Sequence, residues 1–261
     1  MSTLNVSTVQ ADLHWHDPER NLEQFARVIQ QQEQNSDLFV LPEMFATGFT
    51  MHAEDHAERM NGRSVAWMAE TAKTTGAAIC GSLIIRDSGR YFNRFILMRP
   101  DGNFDFYDKR HLFRLAGEHE HYAPGNEVVT FRFKGWRIRP MVCYDLRFPV
   151  WSRGRNDYDL LIYVANWPDR RHLAWETLIR ARAIENLAYV AAVNRTGTDG
   201  NDIRYLGGSA IIDYLGNELA PVSDAPGVAS ATLDMEKLTA FRENFPFHLD
   251  ADAYSIADAE T

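Results

Sequence analysis

The sequence contains few cysteines and no long hydrophobic segment. Its 261 residues include only Cys80 and Cys143, too few for a disulfide framework, which indicates a reducing compartment. No apolar run approaches the roughly 18 residues of a membrane-spanning helix. The first ten residues lack a basic stretch followed by an apolar run, which argues against a secretory signal. These absences predict a cytoplasmic protein without a membrane partner.

Positive charge is also scarce. The chain has 27 Lys and Arg residues against 36 Asp and Glu residues, which gives a formal net charge of -9. Because a surface that binds nucleic acid needs basic side chains to neutralise phosphates, we expect no nucleic-acid partner. An anionic small molecule stays compatible, since a few well-placed arginines or lysines set the local field.

Several sequence motifs of known enzymes are missing. The chain has no GxSxG, Walker A or GxGxxG pattern, and no HExxH or CxxC pattern. Three histidines, His111, His119 and His121, cluster after Lys109 and suggest a metal site, but their spacing matches no common ligand motif. We therefore expect no metal, and a metal-dependent hydrolase stays open as an alternative.

No repeat, low-complexity segment or linker rich in Pro, Gly or Ser divides the chain. We expect a single domain over residues 1–261, with a tail from about Asp250 that is an arm or disordered. Strand-like runs alternate with amphipathic stretches, which favours an α/β fold with helices outside the sheets. Predicted strands cover residues 4–9, 38–41, 77–85, 92–98, 104–107, 137–142, 160–165, 189–193 and 210–213. Predicted helices run from Pro18 to about Gln34 after an Asp17 cap, over 64–74 before Gly76, and over 172–187.

Cys143 is the candidate nucleophile. It directly follows the predicted strand 137–142, where a sharp turn would expose the thiol at the sheet edge and leave the next backbone N–H free to donate. The alternative is a buried core cysteine. For Cys80, which lies within a predicted strand without polar neighbours, we expect only the core role.

A thiol nucleophile needs a base and a charge partner. Glu43 follows the predicted strand 38–41, and the ends of strands in α/β sheets are where ligands bind. A carboxylate buried there can act as base and then as acid. Lys109 likewise follows a strand-like run. A salt-bridged or capping Glu43 and a solvated surface Lys109 are the structural alternatives.

Three segments in this order resemble the signature blocks of the nitrilase (carbon–nitrogen hydrolase) superfamily. They are Leu-Pro-Glu-Met at 41–44, Tyr-Asp-Lys-Arg-His-Leu-Phe at 107–113 and Val-Cys-Tyr-Asp-Leu-Arg-Phe-Pro at 142–149. The likeness extends from Val6 to about Asp234. Residues 109–114, 149–153 and 156–159 look most like the omega-amidase branch, in its bacterial form. The resemblance implies a four-layer αββα sandwich and a homodimer or larger assembly, without metal or organic cofactor.

The resemblance also implies roles for the residues. Cys143 would attack the substrate, Glu43 would be the base, and Lys109 with the backbone N–H of Tyr144 would stabilise the oxyanion. A second glutamate precedes a Pro-Gly in this family, and spacing from 124–125 favours Glu118 over Glu120. We further expect the side chains of two aromatic residues in the substrate pocket, Phe113 and Trp167.

The omega-amidase branch acts on 2-oxoglutaramate and 2-oxosuccinamate. We therefore expect a small-molecule amide substrate, hydrolysed through a thioester to the dicarboxylate and ammonia. The substrate carboxylate needs a cation, for which Arg114, Arg147 and Arg195 are candidates, although Arg147 is favoured to pair with an acid near the nucleophile. An amidase for an N-carbamoyl compound or deaminated glutathione, and a non-catalytic interaction protein of the same fold, stay open.

Overall fold

The computed structural model describes residues 2–32, 36–221 and 224–256. Strands within these ranges are β1 (Thr3–Gln10), β2 (Leu38–Val40), β3 (Ala78–Asp87), β4 (Arg90–Met98), β5 (Phe104–Asp108), β6 (Phe131–Phe133), β7 (Trp136–Val142), β8 (Leu160–Ala165), β9 (Tyr189–Asn194), β10 (Thr196–Thr198), β11 (Arg204–Leu206), β12 (Ala210–Ile212), β13 (Glu218–Pro221) and β14 (Gly227–Asp234). Helices are α1 (Pro18–Gln31), α2 (Ala53–His56), α3 (Arg63–Thr75), α4 (Glu118–His121), α5 (Pro149–Ser152), α6 (His172–Asn186) and α7 (Met235–Asn244).

Two six-stranded mixed sheets form the centre of the molecule. The first has the order β14-β1-β2-β3-β4-β5 and the second β13-β12-β9-β8-β7-β6. Each sheet has three parallel strands in its middle, β1-β2-β3 and β7-β8-β9, with antiparallel strands on both sides. The carboxyl ends of the central strands therefore share one edge in each sheet, which is where a site can form.

The short strand β2 illustrates how the layers are held together. Leu38 and Val40 belong to the apolar cluster that includes residues from both sheets, whereas Phe39 belongs to the cluster shared with α1 and α3. Since side chains of a strand alternate between faces, the first sheet is covered by the second sheet on one face and by helices on the other. The fold is the four-layer αββα sandwich predicted from the sequence.

The start of α1 and the end of α3 agree with the sequence prediction. Asp17 caps α1 by accepting a hydrogen bond from the Arg20 N–H at 3.1 Å, and α3 ends at Gly76, whose φ of 70° is left-handed. Helix α1 ends at Gln31, before the predicted end near Gln34, which lies outside the described residues.

The buried face of α6 differs from the prediction. Periodicity indicates a stripe of Leu178, Ala181, Ile184 and Ala188, but Ile184 is exposed. The helix instead buries Trp175, Ile179, Arg182, Ala183 and Asn186. Two of these buried residues, Arg182 and Asn186, are polar, and each binds a backbone group of another segment. Arg182 donates to Leu146 O, and Asn186 accepts from Gly154 N–H. The pattern of apolar residues alone therefore predicts the wrong buried face for α6.

Residues 251–256 carry no regular element, and the Tyr254 hydroxyl donates to the carbonyl oxygen of Val150 at 2.9 Å. Residues 257–261 of the predicted tail lie outside the described residues. Among the described residues, no helix is both long and apolar enough to cross a membrane.

Candidate active site

Three strand ends and the start of one short helix bring the predicted residues together. Cys143 directly follows β7, Lys109 directly follows β5, and Glu43 comes three residues after β2. Glu118 is the first residue of α4. All four are buried, with Glu43 and Glu118 0% exposed, Lys109 1% and Cys143 9%.

Lys109 lies between the two glutamates. Its ammonium donates to Glu43 Oε1 at 2.9 Å and to both Glu118 oxygens at 3.0 and 2.9 Å. Burial alone would lower the pKa of Lys109, but the charges of Glu118 and Glu43 outweigh it and raise that pKa above its ordinary value. The lysine is therefore a fixed cation between the two glutamates.

Cys143 occupies a strained turn. Its φ of 44° is left-handed, which costs a side chain other than glycine about 1–3 kcal/mol. Its Sγ lies 3.8 Å from the carbonyl oxygen of Asn166. Burial, followed by the charge of Glu43, raises the pKa of the Cys143 thiol well above its ordinary value, against the opposing effect of Lys109. The resting group is therefore a thiol, and its attack requires a base.

Glu43 is held by donors from three elements. Oε1 accepts from Lys109 and, at 2.8 Å, from Asn93 Nδ2, while Oε2 accepts from the Asn166 N–H at 2.9 Å. The next residue, Met44, also has a left-handed φ of 44°. Sequence analysis did not single out Asn93. The available signal was a polar side chain inside the apolar run 92–98. Asn166 directly follows β8, and no motif discussed above includes it.

The two candidate second glutamates occupy different environments. Glu118 is buried against Lys109, and its Oε2 also accepts from the Phe113 N–H at 2.6 Å. Burial, opposed by Lys109 and reinforced by Glu43, raises the pKa of Glu118. The side chain of Glu120 is 69% exposed. Only Glu118 therefore lies with the other three predicted residues.

A buried aspartate joins the Lys109 segment to the turn of Cys143. Asp145 Oδ2 accepts from the Tyr107 hydroxyl at 2.8 Å and from the Val142 N–H at 3.0 Å. Its Oδ1 accepts from the His111 backbone N–H at 3.0 Å and contacts His111 Nδ1 at 2.8 Å. This network ties the end of β5 to the end of β7, and so fixes the cation relative to the nucleophile.

Tyr144 is the second residue of a 3₁₀ turn over Cys143–Arg147. Its N–H has no partner within that turn, because the first donors of a helical turn precede its first hydrogen bond. Its ring contacts that of Phe113, with centroids 5.0 Å apart. The N–H predicted to stabilise an oxyanion thus lies one residue from the thiol.

The histidine cluster does not assemble into a ligand set. His111 stacks on Phe148, with ring centroids 3.7 Å apart, and contacts Asp145. His119 approaches Glu120 at 3.9 Å. In the part of the chain that the structure describes, no group of three or more His, Cys, Asp or Glu side chains is arranged to hold a metal ion.

A cavity of about 340 Å³ opens onto Cys143 and Lys109. Phe113 and Trp167, both predicted in the pocket, line it. Its volume falls in the range typical of small-molecule sites. A small molecule in this cavity therefore has access to the thiol.

Three arginines line the same cavity. Of the three sequence candidates only Arg147 does so, since Arg114 is exposed outside it and Arg195 is buried against Asp12. The other two, Arg170 and Arg171, were missed because they follow Pro168 in a loop without a motif.

Two of the three cavity arginines lie against aromatic rings. The Arg147 guanidinium lies 4.8 Å from the Trp167 ring and that of Arg171 lies 5.1 Å from the Phe113 ring. Within residues 2–32, 36–221 and 224–256 no ion pair joins any of the three cavity arginines to a carboxylate, so the predicted pairing of Arg147 with an acid is not found there. Burial, then the charge of Arg170, lowers the pKa of Arg171, with a further contribution from Arg147. An anion in the cavity would relieve this repulsion.

Comparison with known proteins identifies the family. Residues 5–243 match the family described as carbon-nitrogen hydrolase. The chain is 48% identical to an omega-amidase, YafV, of Yersinia enterocolitica, over 98% of this chain and 100% of the relative. It is 33% identical to the 2-oxoglutaramate amidase of Bacillus subtilis, over 92% and 95%. The crystal structure of XC1258 from Xanthomonas campestris, a CN-hydrolase superfamily protein with an arsenic adduct in its active site, has a TM-score of 0.96 at 46% identity, covering 98% and 100%. The chain therefore belongs to the carbon–nitrogen hydrolase family, and its predicted resemblance to the bacterial omega-amidases is confirmed.

Proposed function

We propose that this amidase hydrolyses the terminal amide of short 2-oxo acid omega-amides, such as 2-oxoglutaramate and 2-oxosuccinamate, to the dicarboxylate and ammonia. The observation that carries the proposal is a cavity with a buried Glu–Lys–Cys group at one position and arginines without acidic partners elsewhere in its lining. The amidase chemistry follows from the family. The choice of substrate rests on the cavity and on the names of the relatives.

In the first half of the reaction, Glu43 takes the proton of the Cys143 thiol, and Sγ attacks the amide carbonyl carbon. The negative charge that develops on the substrate oxygen is stabilised by Lys109 and the Tyr144 N–H. A single preorganised donor of this kind contributes about 3–4 kcal/mol to the transition state. Glu43 then gives its proton to the departing nitrogen, ammonia leaves, and the acyl group stays on sulfur as a thioester.

In the second half, Glu43 takes a proton from water, and the resulting hydroxide attacks the thioester carbonyl. The carbon–sulfur bond breaks, the proton on Glu43 returns to the thiolate, and the product is released as its new carboxyl group gives up its proton to solvent. Glu118 supports this step by keeping Lys109 in place, since both of its oxygens accept from the ammonium. The proposed cycle uses neither metal nor organic cofactor.

The arginines supply the selectivity for an acid group. A substrate carboxylate that enters the cavity meets Arg147 and Arg171, whose planes are fixed by Trp167 and Phe113. The cavity lining holds three arginines against one carboxylate, that of Asp199, so its local field attracts a small anion although the chain has a net charge of -9. Neutral amides of the same length gain nothing from this field.

The test is ammonia release from 2-oxoglutaramate and from butyramide, with the wild-type chain and Arg147→Met. The variant should lower kcat/KM for 2-oxoglutaramate about 10–100-fold, which corresponds to one charged hydrogen bond of about 1.5–3 kcal/mol. The rate on butyramide should stay unchanged. Arg180→Met is the matched control, because Arg180 pairs with Glu218 on the surface and does not line the cavity.

Equal rates of the wild-type protein on the two amides would contradict the substrate proposal and leave the amidase assignment intact. Faster turnover of N-carbamoyl compounds or deaminated glutathione would favour those substrates instead. Absence of ammonia release from every amide, carbamoyl compound and nitrile tested would favour the non-catalytic alternative.

We also propose that the chain acts as a homodimer or larger assembly in the cytoplasm, and that it binds neither membranes nor nucleic acid. The assembly is supported by the exposure of two large apolar side chains on α6, Leu173 and Ile184. A monomer in light scattering at micromolar concentration would contradict the assembly, and recovery in the membrane fraction would contradict the location.

A further inference from the structure

Asn93 is a neutral side chain that hydrogen-bonds to both glutamates of the site. It lies in β4 opposite Ile84 of β3 and is 0% exposed. Its amide nitrogen lies 2.8 Å from Glu43 Oε1 and 3.3 Å from Glu118 Oε1. The two N–H groups of one amide therefore reach two carboxylates that would otherwise repel each other.

The orientation of this amide is fixed from behind. The Ser82 hydroxyl donates to Asn93 Oδ1 at 2.7 Å, and the Ser82 oxygen accepts from the Met44 N–H at 2.9 Å. Because the backbone N–H uses the serine oxygen as acceptor, the hydroxyl hydrogen is free to point at Asn93. A flipped amide would place its oxygen against two carboxylates, so only one orientation is stable.

Asn93 also distinguishes the two oxygens of Glu43. Oε1 accepts from Lys109 and Asn93, which fills the roughly two acceptor positions of a carboxylate oxygen. Oε2 has one short bond, from the Asn166 N–H at 2.9 Å, and a long contact of 3.5 Å to Asn166 Nδ2. A proton that arrives from the thiol therefore finds its free position on Oε2.

We propose that Asn93 is a positioning residue, which holds Glu43 and Glu118 side by side by donating to both and leaves Glu43 Oε2 for the thiol proton. The proposal deepens the proposed function and rests on it for the role of Glu43 as base. Because Asn93 is neutral, it holds the two glutamates without replacing Lys109 as the cation that stabilises the oxyanion. The other titratable groups that face the pair are Lys109, Cys143 and Tyr122, whose hydroxyl donates to Thr50 O.

The test follows the pH dependence of two reactions in Asn93→Ala and Asn93→Asp. The first is alkylation of Cys143 by iodoacetamide, measured by mass spectrometry, which needs no amide substrate. The second is ammonia release from 2-oxoglutaramate. In Asn93→Ala the acidic limb of both profiles should move to higher pH by about one unit or more, because the paired carboxylates lose a donor to their charged form. Asn93→Asp, which adds a third carboxylate at nearly the same volume, should move it further.

Asn186→Ala is the matched control. Asn186 is also a buried asparagine with two backbone hydrogen bonds, to Gly154 N–H and Arg182 O. Its side chain is not hydrogen-bonded to Glu43 or Glu118. Asn186→Ala should lower the free energy of unfolding without moving the acidic limb of either pH profile. An unmoved acidic limb in Asn93→Ala, or in Asn93→Asp if the alanine variant does not fold, would overturn the proposal. A shift in alkylation without any amide turnover by the wild-type protein would keep the role of Asn93 and reject the proposed function.

Discussion

Replacement of Lys109 by methionine would test the charge balance of the site directly. Methionine retains an unbranched apolar side chain but lacks the ammonium that donates to Glu43 and Glu118. After the change, two buried carboxylates face each other with only neutral donors. Removal of one partner from a buried ion pair costs about 3–5 kcal/mol, because the remaining charge is left without compensation.

The cost should depend on pH in a defined direction. The pKa of Glu118 is already raised by burial in the folded protein, against the opposing effect of Lys109. A carboxyl group with a raised folded pKa contributes most to stability at low pH and loses that contribution as pH rises through the folded value. Without Lys109 the folded pKa of Glu118 rises further, so the loss of stability with rising pH becomes larger. Lys109→Met should therefore be nearly as stable as wild type in acid and much less stable at neutral and alkaline pH.

The assay is urea unfolding followed by tryptophan fluorescence at several pH values. The double variant Lys109→Met/Glu118→Gln separates stability from catalysis, because it removes one charge of each sign and restores the net charge of the cluster. It should regain most of the stability at neutral pH and still turn over at least about 10²–10³-fold more slowly, since the oxyanion has lost its cation. An equal loss of stability in Lys109→Met at every pH would refute the reasoning, as would wild-type turnover in the double variant.

Three further substitutions test individual residues. Cys143→Ala should abolish ammonia release, whereas Cys80→Ala should keep most of it and lose about 1–2 kcal/mol of unfolding free energy to a core cavity; adduct mapping by mass spectrometry would contradict this if the acyl group were found on another residue. Glu118→Gln should lower kcat clearly and Glu120→Gln hardly at all, because only Glu118 is buried against Lys109; the reverse order in a steady-state assay would reassign the second glutamate. Asp145→Asn should lower kcat and thermal stability together, since an amide cannot accept all four contacts of the carboxylate, and an unchanged melting temperature would show that the network is dispensable.

The sequence predicts those site residues that combine a reactive side chain with a position at the end of a predicted strand. Glu43, Lys109 and Cys143 each follow a strand in a recognisable segment, and the structure brings them together at the strand ends. The choice of Glu118 over Glu120 depended on spacing to a Pro-Gly, and a one-turn helix indeed turns only the first of them inward. These residues could be found because local motifs determine their position.

The remaining site residues depend on tertiary contacts that no local pattern encodes. Asn93 reaches the glutamates only because β4 pairs with β3, and Arg170 and Arg171 reach the cavity only through the loop before α6. The face of α6 was mispredicted for the same reason, since Arg182 is buried to bind the Leu146 carbonyl rather than for its hydrophobicity. Periodicity measures apolar character and cannot detect a polar group whose partner lies on a distant loop.

The pairing of β1 with β14 has a consequence for synthesis on the ribosome. Thr3–Gln10 leaves the ribosome first, but its antiparallel partner, Gly227–Asp234, leaves last among the strands. At about 5–20 residues per second the first strand waits roughly 10–45 s with an unpaired edge, a period during which chaperones can bind it. Glu43 follows β2, which pairs with β1, whereas Cys143 follows a strand of the second sheet. The nascent chain therefore contains Glu43 long before the first sheet is complete. The sheet that positions Glu43 is therefore complete only after Gly227–Asp234 has been synthesised and has paired with β1.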